Sequence, residues 1–284
     1  MNASGDIRIG IGGWVYAPWR NNFYPAGLVQ RRELEFASRH VTAIEINGTY
    51  YGAQKPATYA KWRDEAPAGF VFSARAPKRI MGSRALAKAG PQIDDFVGGI
   101  AELKDKLGPL VWRFEPGAAP DAGAVAAFLA LLPKSANGRA LRHVLDLREP
   151  ALVNGDVLAL ARRSGVATVF TDSLDYPSFA DLTADFVYAR LMRTRPDVDA
   201  GYPEAELEAW GGRARRWASG GEPDDLPRIA PPEKAAPARP RDVYVFFISA
   251  AKERNPAAAM ALLRRLGLGP VEPFPFAAAP KPSA

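Results

Sequence analysis

Three pairs of side chains that could do chemistry stand two residues apart at the ends of apolar runs: Glu45 with Asn47, Arg113 with Glu115, and Asp146 with Arg148. Residues two apart in an extended chain share a face, so each pair projects to one side of its strand. Glu45 lies inside Ile44-Glu45-Ile46, where a carboxylate needs a partner or a solvated pocket. Paired carboxylates serve as general acid and base, as in glycoside hydrolysis, which makes Glu45 and Asp146 the candidate catalytic residues. Arginine grips a carboxylate or phosphate through two parallel hydrogen bonds. Arg75, Arg113, Arg148, Arg190 and Arg193 are therefore candidate ligand-binding groups, with Asn47, Glu115 and Asp172 among them. A salt-bridge network that merely satisfies the same groups is the competing reading.

Aromatic residues cluster nearby. Trp14, Tyr16, Trp19, Phe23 and Tyr24 fall within eleven residues, and Tyr50-Tyr51 follows the Glu45 run. They either stack on a base or sugar ring or plug one end of the core; Trp14 and Tyr50 join the ligand-binding candidates. Arg75, Lys78 and Arg79 crowd the end of another apolar run, either to hold an anion or as a solvated loop.

Composition narrows the chemistry. The 284 residues contain no cysteine and only two histidines, His40 and His143. That removes disulfides, thiolate catalysis and cysteine-ligated metals and leaves little room for a histidine-rich site. No metal and no cofactor are expected. A formal net charge of +6 suits a phosphorylated or polyanionic partner, yet Lys and Arg are scattered along the chain. No window approaches a membrane-spanning length, and the N-terminus is polar up to Ile7, so a cytoplasmic protein is expected.

The elements that must position these groups follow from periodicity. Strand patterns occur at Ile7–Ile11, from Thr42 through Asn47, and at Phe70–Ala74, Leu110–Phe114, Arg142–Leu147, Ala167–Thr171, Phe186–Leu191 and Val243–Ile248. Helical patterns span Arg31–His40, a segment capped by Thr58 and running to Glu65, Ile93–Leu107, Ala124–Leu132, Val157–Ser164, Pro203–Trp217 and Pro256–Leu266. Gly108-Pro109 is expected to connect a helix to the fourth strand. Eight strands alternating with helices predict a closed parallel α/β barrel of the TIM type. A doubly wound sheet would also alternate, but no glycine-rich phosphate fingerprint follows the first strand. We expect a single domain over residues 1–284. The proline-rich run 220–241 is expected to be a loop or insertion, and the tail 270–284 irregular and covering one barrel end.

Several motifs resemble the YecE-like family, domain of unknown function 72. They are Ile9-Gly10-Ile11-Gly12-Gly13-Trp14, Phe23-Tyr24-Pro25, Glu45-Ile46-Asn47-Gly48-Thr49-Tyr50-Tyr51 and Lys106-Leu107-Gly108-Pro109-Leu110. Trp62, Ala184-Asp185-Phe186-Val187-Tyr188, Glu206-Leu207 with Trp210, and Val243-Tyr244-Val245-Phe246-Phe247 extend the match to nearly the whole chain. The resemblance implies a TIM-type barrel distantly like endonuclease IV and sugar isomerases, and no particular reaction. Departures are concentrated at strand ends. Arg113 and Glu115 stand where the family has glutamine and proline, and Asp146-Leu147-Arg148-Glu149 where it has Glu-x-Arg-His. Met192 replaces a histidine, Ile248-Ser249-Ala250 replaces Asn-Asn-Asp, and a histidine near Gly82 is missing.

Three functions fit these residues. The first is a barrel binding a small phosphate- or carboxylate-bearing molecule at the mouth formed by the C-terminal strand ends. The second is a nucleic-acid-binding protein, and the third a catalytically degenerate barrel kept for binding or scaffolding. In any of them Glu45, Arg113, Asp146 and Arg190 should open on one mouth.

Overall fold

A computed structural model describes residues 4–82, 86–117, 120–230 and 239–269. Its barrel strands are β1 Ile7–Gly12, β2 Ala43–Ile46, β3 Val71–Arg75, β4 Leu107–Phe114, β5 His143–Leu147, β6 Ala167–Thr171, β7 Phe186–Leu191 and β8 Asp242–Phe247. Each strand hydrogen-bonds in parallel to the next, and β1 pairs with both β2 and β8, so the sheet closes into the expected barrel. The longer outer helices are α2 Pro56–Glu65, α4 Gly90–Ile100, α5 Ala122–Leu131, α6 Gly155–Ser164, α7 Glu204–Ala218 and α8 Asn255–Leu266. Two shorter helices among the described residues are α1 Glu33–Ala37 and α3 Lys78–Met81. Among the described residues no regular helix separates β6 from β7.

Period-two alternation explains what each strand buries. Val111, Val144, Val169, Tyr188 and Phe246 belong to one apolar cluster supplied by alternate residues of different strands. The residues between them, such as Trp112, Leu145, Phe170 and Phe247, join the larger cluster under the helices. Each large side chain so buried contributes about 1.5–3 kcal/mol. Gly10 is needed where β1 passes closest to its neighbours. A Cβ there would lie 2.2 Å from the Ala43 carbonyl oxygen and 2.9 Å from the Phe246 ring. Below the apolar layer Arg142 ties the β5 entrance to β8, donating to Asp242 and to the Tyr244 hydroxyl, each at 2.7 Å.

Several boundaries differ from the sequence expectation for physical reasons. Helix α2 starts at Pro56 with Lys55 at its N-cap, so Thr58 is inside the helix and caps nothing. Proline at the first helical position is already set for helix and lacks only an N–H that would go unused. Helix α4 stops at Ile100 and gives way to a 3-10 stretch, Ala101–Lys106, in which Lys104 has φ +53°. The buried Lys106 ammonium then donates to the Arg63 and Ala66 carbonyls at the end of α2, at 2.6 and 2.5 Å. Gly108 and Pro109 lie inside β4, where proline costs a ladder hydrogen bond. The register against β3 shifts between Phe72 and Ala74, and the Pro109 carbonyl accepts a bond from the Ser73 hydroxyl at 2.7 Å instead.

The proline-rich run is fastened down just ahead of residue 231. The buried Asp181 carboxylate accepts from the backbone N–H groups of Ile229 and Ala230, at 2.8 and 2.9 Å. Residues 231–238 of that run, and the tail 270–284, lie outside the described residues. Among the described residues no helix is long and apolar enough to cross a membrane.

Candidate functional site

Inward-facing positions near the ends of β2, β4, β5 and β7 deliver four charged side chains to one place. Arg190 is almost wholly buried and lies between two acids. Its Nε donates to Glu45 Oε2 at 2.9 Å, Nη2 lies 2.8 Å from the same oxygen, and Nη1 donates to Asp146 Oδ2. Asp146 also accepts from Arg113 Nε at 2.8 Å and from Arg148 Nε at 3.2 Å. Arg113 and Asp146 are register partners on β4 and β5. Its Nη1 reaches Glu115 at 3.3 Å. Glu45, Arg113, Asp146 and Arg190 thus meet at one mouth.

The electrostatics follow from this crowding. Burial would raise the Asp146 pKa, but Arg190, Arg148 and Arg113 outweigh it and hold the carboxyl well below its usual range. Burial likewise opposes charge on Arg190, and Glu45 and Asp146 overcome it, raising that pKa. The Tyr188 hydroxyl donates to Glu45 Oε2 at 2.5 Å and sits 2.8 Å from the Ser73 hydroxyl. Burial, reinforced by Glu45, pushes its pKa far up. The phenol therefore stays a donor.

Arg75 is different. Its guanidinium stacks over the Tyr50 ring, 3.9 Å from the centroid, and Nη1 reaches Asn47 Oδ1 only at 3.5 Å. Nε and Nη2 are buried with no hydrogen-bond partner among the described residues. Burial, aided by neighbouring Arg113, pushes the Arg75 pKa down to about 10. Glu45 Oε1 is a buried acceptor that also lacks a partner there. Tyr50, on the 3-10 turn Gly48–Tyr50, closes over this corner and donates its hydroxyl to Glu115. Tyr50 also lines a cavity of about 300 Å³, together with Lys78, Arg79, Met81, Gly82, Arg113 and Glu115.

Arg148, also at the mouth through Asp146, is buried with its guanidinium 3.8 Å over the Tyr176 ring. The remaining candidates fall elsewhere. Asp172 turns to the β7 exit, accepting from the Met192 N–H at 2.5 Å and the Tyr202 hydroxyl at 2.7 Å; burial raises its pKa. Arg193 is exposed, and its backbone N–H donates to Tyr202. Trp14 packs edge-on against Trp62 and Phe72. Trp19 and Tyr24 are buried, with Phe23 packed against both and against Phe36, so these rings fill a gap beside the barrel. Neither histidine reaches the mouth. His40 stacks on Phe36 and contacts its carbonyl at 2.8 Å. His143 accepts from Trp112 Nε1 and meets the Pro133 carbonyl, and burial lowers its pKa.

Tyr188, Ser73 and Tyr176 were missed by the sequence reading. The first two stand two residues before Arg190 and Arg75, so the alternation that aligned the charged pairs already reached them. Tyr176 had no such signal, because it sits in an irregular connection. Among the described residues no three metal-binding side chains gather at one point.

Fold and site define a TIM-type barrel whose mouth is filled by charged side chains. The chain belongs to the family described as protein of unknown function DUF72, which it matches over residues 8–283. A DUF72 family protein from Thermotoga maritima MSB8 superposes with a TM-score of 0.70 at 15% identity, covering 92% of this chain and 99% of that one. A second, from Enterococcus faecalis V583, gives 0.67 at 15% identity, with 95% and 100% covered. D-psicose 3-epimerase, crystallised in the presence of D-fructose, gives 0.56 at 11% identity, with 92% and 99% covered. Likeness at such identities shows the fold alone. No curated protein matches the sequence.

Proposed function

We propose that the barrel mouth binds a small molecule through a phosphate or carboxylate group. The observation that carries this reading is Arg75, a largely buried cation stacked on Tyr50 whose Nε and Nη2 meet no acceptor among the described residues. A buried charge is costly unless paired, and an arriving oxyanion supplies the pair. The local charge count agrees. Arg75, Arg113, Arg148 and Arg190 face Glu45, Glu115 and Asp146, four cations against three anions, leaving one positive charge. The cavity beside Tyr50 gives room for the rest of the ligand. Glu45 and Asp146, the candidate acid and base, serve here as fixed negative charges that hold Arg190 and Arg113. An aspartate gripped by three arginines is a poor proton donor.

The test is a thermal titration of wild type and Arg75→Gln with phosphate, sulfate and carboxylate salts at constant ionic strength. A ligand that prefers the folded state raises the melting temperature. At least one anion should do so for wild type. Arg75→Gln should lose roughly ten- to a hundred-fold in affinity, the value of about 1.5–3 kcal/mol for a charged hydrogen bond. It should also melt no lower than wild type, since it removes an unpaired buried cation. A lower melting point with unchanged anion response would make Arg75 structural.

A further inference from the structure

The corner between β2 and β3 contains a second unmet group besides Arg75. Glu45 Oε2 is saturated by Arg190 and Tyr188, whereas Oε1 of the same buried carboxylate accepts from no described residue. The two groups belong to one corner. Glu45 is the register partner of Ser73, and Arg75 stands two residues on, on the same strand face. Tyr188 bridges Glu45 to Ser73, and Asn47, two residues past Glu45, contacts Arg75. The Glu45 carboxylate also supports the charge on Arg75. Unpaired donors and an unpaired carboxylate acceptor therefore stand on the same face of two neighbouring strand ends.

A fully deprotonated oxyanion would suit the arginine and clash with the carboxylate, since two lone-pair-bearing oxygens would face each other with no hydrogen between them. An oxyanion that keeps a hydroxyl suits both, its oxygens accepting from Arg75 and its O–H donating to Glu45. We infer that Glu45 Oε1 makes the mouth selective for a protonated oxyanion, of which monohydrogen phosphate is the simplest, over sulfate. This rests on the anion-binding reading above and names its ligand class. A site built to hydrogen-bond a particular hydroxyl rejects the analogue lacking it more strongly than any apolar contact does, because its own polar group is left unpaired. An acceptor left unpaired by the wrong ligand separates ligands of equal size and nearly equal charge.

The experiment titrates wild-type protein with inorganic phosphate, inorganic sulfate and a carboxylate, acetate, at neutral pH, matched for ionic strength, reading melting temperature and binding heat. Sulfate carries no proton at that pH, and phosphate always carries at least one. Phosphate should bind at least about ten-fold more tightly, the lower range expected when a buried polar group loses its partner. Glu45→Gln, whose amide can donate to either ion, should bring the two affinities together. Because Glu45 also holds Arg190, that variant has value only if it folds, and the wild-type comparison decides without it. Equal affinity of wild type for the two ions overturns the selectivity and leaves the anion site standing. Response to carboxylates alone overturns it likewise. No response to any of the three anions overturns both readings.

Discussion

Glu45 and Arg190 come from β2 and β7, strands that do not pair, and meet across the barrel at 2.9 Å with both side chains almost wholly buried. The contact spans the interior where an apolar plug would serve as well for stability. Exchanging a buried ion pair for well-packed apolar residues is often neutral or favourable, whereas removing one member leaves a charge unpaired. Arg190 is more exacting still, because it also reaches Asp146.

Arg190→Met should therefore be severely destabilising. It leaves Glu45 without its cation and takes from Asp146 one of three. The expected loss is about 3–5 kcal/mol, the range for breaking a buried pair, read from urea denaturation with an unchanged denaturant slope. Arg190→Lys should recover only part of it, since a single ammonium cannot present the guanidinium's separate edges to two carboxylates. A Met variant as stable as wild type would show that the pair holds nothing together.

Acid sensitivity follows from Asp146. Its folded pKa is depressed by three arginines despite burial, so ionisation favours the folded state. The stabilisation is complete above the unfolded value of about 3.9 and declines as pH falls below it, until the folded carboxyl is itself protonated. Asp146→Asn should lower stability at neutral pH, where three arginines are left facing one another, and flatten the stability curve below about pH 4. Parallel acid limbs in wild type and variant would exclude Asp146 as their source.

The barrel was legible because burial on both faces makes each strand a short apolar run, and interruption by charge is confined to the inward positions at strand ends. Glu45, Arg113, Asp146 and Arg190 were therefore identifiable from alternation alone. Which of them pair was not, because Glu45 and Arg190 are 145 residues apart in the chain and no local spacing records a contact across a barrel. Pro109 misled for a local reason. Proline normally ends a pattern, and only the register shift against β3 lets it stay inside β4. The distinct condition of Arg75 was also invisible, since being unpaired is a property of three-dimensional neighbours.

Gly10→Ala tests the close approach of β1 to β2 and β8. One methyl would sit 2.2 Å from the Ala43 carbonyl oxygen, and backbone cannot swing aside as a side chain does. Overpacking of this sort costs about 1–3 kcal/mol or more, enough to lower the melting temperature by several degrees. Gly48→Ala is the control, since a Cβ there meets nothing within 4 Å. Equal effects of the two substitutions would mean that chain flexibility, and no steric clash, explains the loss.

Glu115 is the group we expect to oppose ligand binding. It is the most exposed acid of the mouth, its side chain 41% accessible, and it takes one edge of Arg113 while accepting from the Tyr50 hydroxyl. A ligand anion would compete with it for Arg113. Glu115→Gln keeps the shape, removes that competition and raises the local charge from one positive to two. Exposed pairs are worth about 0.2–1 kcal/mol, so anion affinity should rise about 1.4- to five-fold with little change in melting temperature. The gain should shrink with added potassium chloride, as screening requires. Tyr50→Phe separates charge from gating, because it removes the hydroxyl that donates to Glu115 and leaves the charge in place. Unchanged affinity in Tyr50→Phe together with a gain in Glu115→Gln assigns the effect to charge, and a gain in both assigns part of it to the Tyr50 ring moving off Arg75. Weaker binding by Glu115→Gln would reverse the argument and make Glu115 a group that contacts the ligand directly.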